Sequence, residues 1–128
     1  MSTQRKTSTR LVWFEIPADD MERAKAFYGD LFGWKINAFP TVKDYWHIDT
    51  GGGGETPDGG LMRRRQPEQP VTNYINVESV ARFSTKVRKL GGRICVSKTA
   101  VPQCGYFAVC QDPEGNVFGL WEMNKNAK

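Results

Sequence analysis

The 128-residue chain has one histidine, His47, and three cysteines, Cys95, Cys104 and Cys110, with no C-x-x-C pair among them. A two-histidine metal set is therefore out of reach. An odd, scattered cysteine count argues against a disulfide framework or zinc ribbon and for a reducing, cytoplasmic setting. No apolar run approaches the roughly 20 residues of a membrane span, and the polar, basic stretch from Met1 to Arg10 lacks the apolar segment of a signal peptide. Neither end carries an acid, since residues 1–10 hold only Arg5, Lys6 and Arg10 and residues 123–128 only Lys125 and Lys128. The net charge of +4 thus belongs to the termini, and residues 11–122 carry 13 basic against 14 acidic groups. A nearly neutral fold lacks the clustered positive surface that tracks phosphates, which excludes nucleic acid as the expected partner.

What is present is a globular composition, 39% hydrophobic and 12% aromatic, in a length suited to one domain with its own core. Leu11–Ile16 is dense in β-branched and aromatic residues and reads as a strand ended by Pro17. Asp19 or Asp20 caps a helix, with Glu22 placed to answer Asp19. Met21, Ala24, Phe27, Tyr28 and Leu31 form its apolar stripe, and Gly33 stops it. Strands follow at Trp34–Phe39 and Asp44–Asp49, then a turn-rich stretch with four consecutive glycines, then a short strand Leu61–Arg64. After a linker, 66–70, the order restarts: strand Asn73–Val77, a helix capped by Ser79 and stopped by Gly91, then strands Arg93–Val96, Gly105–Gln111 and Val117–Glu122. Faint repeats accompany this order. Gly33 matches Gly91 and Ile36 matches Ile94 at one offset, Gly60-Leu61 matches Gly119-Leu120 at nearly the same, and Tyr45–Ile48 matches Tyr106–Val109. The expected architecture is α+β, two βαβββ modules (10–65 and 71–122) in one domain, with tails at 1–9 and 123–128.

Ile16-Pro-Ala-Asp-Asp-Met-Glu-Arg-Ala-Lys-Ala-Phe-Tyr28, Leu31-Phe-Gly-Trp34 and Asp112-Pro-Glu-Gly-Asn-Val-Phe-Gly-Leu-Trp121 closely resemble the vicinal oxygen chelate superfamily, which includes glyoxalase I, bleomycin-resistance proteins and extradiol dioxygenases. The resemblance covers Arg10 to Glu122. It implies sheets curling around a cavity, helices outside, and a homodimer. It also implies four metal ligands, one per strand, and these positions fall at Trp13, Gly60, Thr72 and Gly119, with a one-residue slip at Gly60 or Thr72 improving neither. Glycine has no ligating side chain, tryptophan offers only a donor, and threonine is a poor ligand beside imidazole or carboxylate. The expectation is therefore no metal and no cofactor.

Strand alternation then sets what faces the cavity: Trp13 and Glu15 on the first strand, Tyr45, His47 and Asp49 on the third, Thr72 and Tyr74 on the fifth, and Trp121 on the last. An aromatic-walled site of this kind suits a small aromatic or apolar ligand. Glu15, set among apolar residues, and His47 are the candidate acid–base groups, against the plainer reading that each is an ordinary hydrogen-bonded residue. Asp49 beside the glycines reads as a turn residue rather than an acid catalyst. The glycine run lacks the features of a phosphate loop and reads as a mobile loop. Arg63-Arg64-Arg65 reads as a solvated strand end, and Cys110 as a pocket-facing or buried thiol. The expected function is metal-independent binding of a small molecule. The alternatives are a lyase or isomerase using Glu15 or His47, a metal-dependent glyoxalase whose ligands lie elsewhere, or a partner-binding subunit.

Overall fold

A computed structural model of the chain describes residues 8–128, so that residues 1–7 of the expected basic tail lie outside the described residues. The elements run β1 (Leu11–Ala18), α1 (Met21–Phe32), β2 (Lys35–Ala38), β3 (Tyr45–Asp49) and β4 (Asp58–Arg63), then β5 (Thr72–Asn76), α2 (Val80–Lys89), β6 (Arg93–Val101), β7 (Gly105–Gln111) and β8 (Val117–Met123). The order is βαβββ twice, the expected α+β class. Two compact units divide the described residues: Val12–Thr72, and Asn73–Lys128 together with residues 8–11.

In the first unit the strand order is β2-β3-β4-β1, antiparallel except for the parallel pair β4–β1. A parallel pair needs a crossover, which α1 supplies. Asp20 caps α1, its carboxylate accepting from the Arg23 amide at 3.0 Å. Asp19, the other candidate cap, instead accepts from Arg64 Nε at 3.1 Å. Gly33 closes the helix with φ 75, the left-handed conformation that only a residue without Cβ adopts cheaply. The core beneath the helix is Met21, Ile48 and Leu61, joined by Phe14, Ile16, Trp46 and others. Of the expected apolar stripe, Phe27 and Leu31 are exposed, while Tyr28 stacks on Trp34, whose ring covers the helix end.

The second unit repeats the arrangement as β6-β7-β8-β5, with β8–β5 parallel. Ser79 caps α2 through the Arg82 amide, and the Val80 amide is held by Glu122 at 3.0 Å. Val77, Val80, Ala108, Cys110 and Leu120 form its core. Pairing registers correct one detail of the repeat: Tyr45 stands opposite Met62 and Phe107 opposite Trp121, so Tyr45 matches Phe107 and not Tyr106.

Several boundaries differ from expectation, most by a single residue. Pro17 does not end β1, which runs on to Ala18. β4 begins at Asp58 rather than Leu61, because Asp58 and Gly59 already pair with Trp13 and Phe14. β6 continues to Val101 through register shifts that let it follow β7. Where a tail was expected after Glu122, β8 includes Met123, and Asn124 and Ala127 bond to Cys104 and Gln103 in the turn between β6 and β7. Leu61 is fully buried. Leu61→Ala should therefore cost about 2–5 kcal/mol, read as a lowered urea midpoint with unchanged slope.

Candidate functional site

Alternation gives the first unit's sheet two faces. Phe14, Ile16, Trp46, Ile48 and Leu61 pack under α1. The pairings Trp13 with Asp58, Glu15 with Gly60 and His47 with Gly60 place Trp13, Glu15, Tyr45, His47, Asp58 and Gly60 on the opposite face.

On that face two hydrogen-bonded groups meet. Trp13 Nε1 donates to the Tyr45 hydroxyl at 2.8 Å, and that hydroxyl donates to Glu15 Oε2 at 2.7 Å. Tyr45 lies on β3 and Glu15 on β1, with β4 between them. The phenol crosses β4 over Gly60, where any Cβ would run into the Tyr45 ring. The second group centres on Asp58. Its Oδ2 faces His47 Nε2 at 3.0 Å, while Oδ1 accepts from the Thr50 amide at 3.0 Å and the Thr50 hydroxyl at 3.1 Å. Burial opposes the charged form of Asp58. The bonds from the Thr50 amide and the His47 ring outweigh it and hold the carboxyl below its usual range. Trp13 stacks on the His47 ring at 5.8 Å and 8°, and Phe39 meets both Tyr45 and His47 edge-on.

The structure thus brings Trp13, Glu15, Tyr45 and His47 together. Asp49 serves the turn, its carboxylate accepting from the Gly51 amide at 2.9 Å. Thr72 is buried, with its hydroxyl toward the Pro70 carbonyl. In the second unit the Tyr74 ring lies over Gly119 and meets Phe107 edge-on, and the Trp121 ring lies against Gly105. Cys110 does not face a pocket. It is fully buried in the second core, where burial, reinforced by neighbouring Cys95 and eased by Arg88, pushes its thiol up to about 11. Of the arginine run, Arg64 is tied to Asp19 and to the Pro17 and Gln69 carbonyls. Arg64 and Arg65 line an open depression of about 580 Å³ that none of the candidate residues borders.

Asp58, Thr50 and Phe39 were not singled out from the sequence. Pro57-Asp58-Gly59 reads as a turn, and the signal that places Asp58 on the site face is its even spacing from Gly60.

The four positions that the superfamily resemblance assigns to metal ligands do not fit a cation. Trp13 Nε1 is a donor already engaged by Tyr45. Gly60 and Gly119 offer no ligand atom, and the Tyr45 and Tyr74 rings fill the space beside them. Among the described residues no three His, Cys, Asp or Glu side chains converge on one point.

Two measurements probe this geometry. Gly60→Ala should cost about 1–3 kcal/mol, because the new methyl displaces the Tyr45 ring, and thermal unfolding reads it. A carboxyl held below its usual pKa adds stability above about 3.9, the ordinary aspartate value, and loses it as pH falls through the lowered one. Asp58→Asn should therefore be less stable than the parent near neutrality, by roughly 1–2 kcal/mol. Urea midpoints across pH should show that gap closing in acid.

Comparison with known proteins agrees with this architecture. Residues 10–51 match the family model described as bleomycin resistance protein-like N-terminal. A glyoxylase-like domain-containing protein of Didymella fabae is 33% identical over 114 residues, covering 83% of this chain and 88% of that protein. Among solved structures, methylmalonyl-CoA epimerase from Mycobacterium tuberculosis superposes with TM-score 0.70 at 13% identity, over 95% of this chain and 93% of that one. A glyoxalase/bleomycin resistance protein/dioxygenase superfamily member from Vibrio splendidus gives 0.64 at 16% identity, over 91% and 100%. The chain belongs to the glyoxalase/bleomycin-resistance branch of the vicinal oxygen chelate superfamily.

Proposed function

We propose that the chain binds a small aromatic or apolar molecule without a metal ion, on the face that carries Trp13, Phe39, Tyr45 and His47. The observation that carries this reading is the Tyr45 phenol laid over Gly60 and bonded to Glu15. Side-chain space that a ligand-bearing residue would need is filled by an aromatic ring, and the nearest carboxylate is occupied by a phenol. Aromatic walls with a few polar groups favour flat ligands held by stacking and one or two hydrogen bonds. Thr72 in the first unit and the aromatic Tyr74 and Trp121 in the second also belong to the proposal, whereas Asp49 contributes through its turn.

A second reading, a lyase or isomerase using Glu15 or His47 for proton transfer, is favoured by one feature: each of the two is already oriented by a partner, Tyr45 for Glu15 and Asp58 for His47. The solved epimerase shares the fold with this chain, and at 13% identity the likeness carries no further. A homodimer, which the superfamily resemblance implies, and a cytoplasmic location, suggested by three free cysteines, complete the proposal. No described helix is long and apolar enough to cross a membrane.

Elemental analysis of protein purified without a histidine tag should find well under one equivalent of zinc, nickel, manganese or iron. A stoichiometric metal would overturn the reading. Thermal-shift screening with aromatic compounds should raise the melting temperature, since a ligand selective for the folded state stabilises it. Glu15→Gln should leave that stabilisation largely in place if the chain only binds, whereas Glu15→Gln and His47→Ala should each abolish turnover of any substrate found if it catalyses.

A further inference from the structure

We propose that Asp58 is a positioning residue for His47, and that it sets the ring to accept a hydrogen bond through Nδ1 from a planar aromatic ligand bearing an O–H or N–H group. The inference deepens the binding reading above and rests on it. An ionised carboxylate only accepts hydrogen bonds, so the 3.0 Å contact between Asp58 Oδ2 and His47 Nε2 places a proton on Nε2. On a neutral ring the lone pair then lies on Nδ1. The ring is held on its other sides as well, by Trp13 stacked at 8° and by Phe39 edge-on at 80°. No described residue donates to Nδ1, and the His47 side chain keeps 38% of its exposure. Asp58 is itself held by two bonds from Thr50, so it cannot swing away from the ring without breaking them. An acceptor set between aromatic walls discriminates between ligands that carry a donor and those that do not.

His47 is the only histidine, so its imidazole nitrogens are identified in an ¹⁵N-labelled full-length sample without further assignment. In alkaline solution the proton should be found almost wholly on Nε2, and Asp58→Ala should weaken this to the modest Nε2 preference of an unconstrained imidazole while the amide spectrum stays dispersed. A proton on Nδ1 in the parent protein overturns the inference whatever the variant does, including failure of the variant to fold. The same resonances then report titration with 2-naphthol and with 2-methoxynaphthalene, which share a ring system and differ in the donor. The naphthol should bind at least about tenfold more tightly, and Asp58→Ala should bring the two together. Equal affinities in the parent overturn the inference and leave the binding reading standing. If neither compound moves any resonance from the Trp13 face, the binding reading falls and the inference falls with it.

Discussion

The first module depends on one crossing. A phenol rooted on β3 reaches Trp13 and Glu15 on β1 because the strand between them presents Gly60, a residue with nothing to obstruct it. The neighbouring Gly59 serves the opposite face, where a Cβ would meet the Phe14 ring, so two consecutive glycines let aromatic rings lie flat on both sides of one strand. The second module solves the same problem from the other flank. Tyr74 on β5 lies over Gly119 on β8 toward Phe107 on β7. The central strand of each module has thus given up a side chain so that a neighbour's ring can take its place, and this substitution removes the means to hold a cation at those positions.

Local chemistry was readable wherever its cause was local. Asp20, Ser79 and Gly33 announce their helix ends through bonds to residues three or four positions away. Alternation on β1 and β3 correctly separated Trp13, Glu15, Tyr45 and His47 from Phe14, Ile16, Trp46 and Ile48, because one face must be apolar. What was not readable had a distant cause. The start of β4 is hidden in Pro57-Asp58-Gly59, a sequence with every mark of a turn, and only pairing with β1 and β3 draws it into the sheet. The Tyr45–Glu15 bond spans 30 residues and has no short-range signal. The length of β6 is likewise dictated by β7, and the order in residues 124–127 by the turn they bond to.

Electrostatics separates the two carboxylates of the site. Asp58 is surrounded by donors and kept charged, which makes it an anchor. Glu15 lies in an apolar strand and accepts from a phenol that is itself fed by an indole. A relay of neutral donors ending on a carboxylate orders the rings without adding charge to the face. Both groups lie in one compact unit, Val12–Thr72.

The glycine-rich segment after β3 leaves and rejoins the sheet at nearly one point, since Thr50 is tied to both Asp58 and the Pro57 carbonyl. Its interior holds Gly51, Gly53 and Gly54 at positive φ, with the Gly51 amide donating to the Asp49 carboxylate and the Glu55 amide to the Gly52 carbonyl. A stretch riveted at its base and bonded chiefly within itself at its tip can vary in length and composition while the histidine beneath it keeps its orientation. Divergence among relatives in what they recognise can accumulate there without disturbing the scaffold, and a library grafted between residues 52 and 55 would exploit the same freedom.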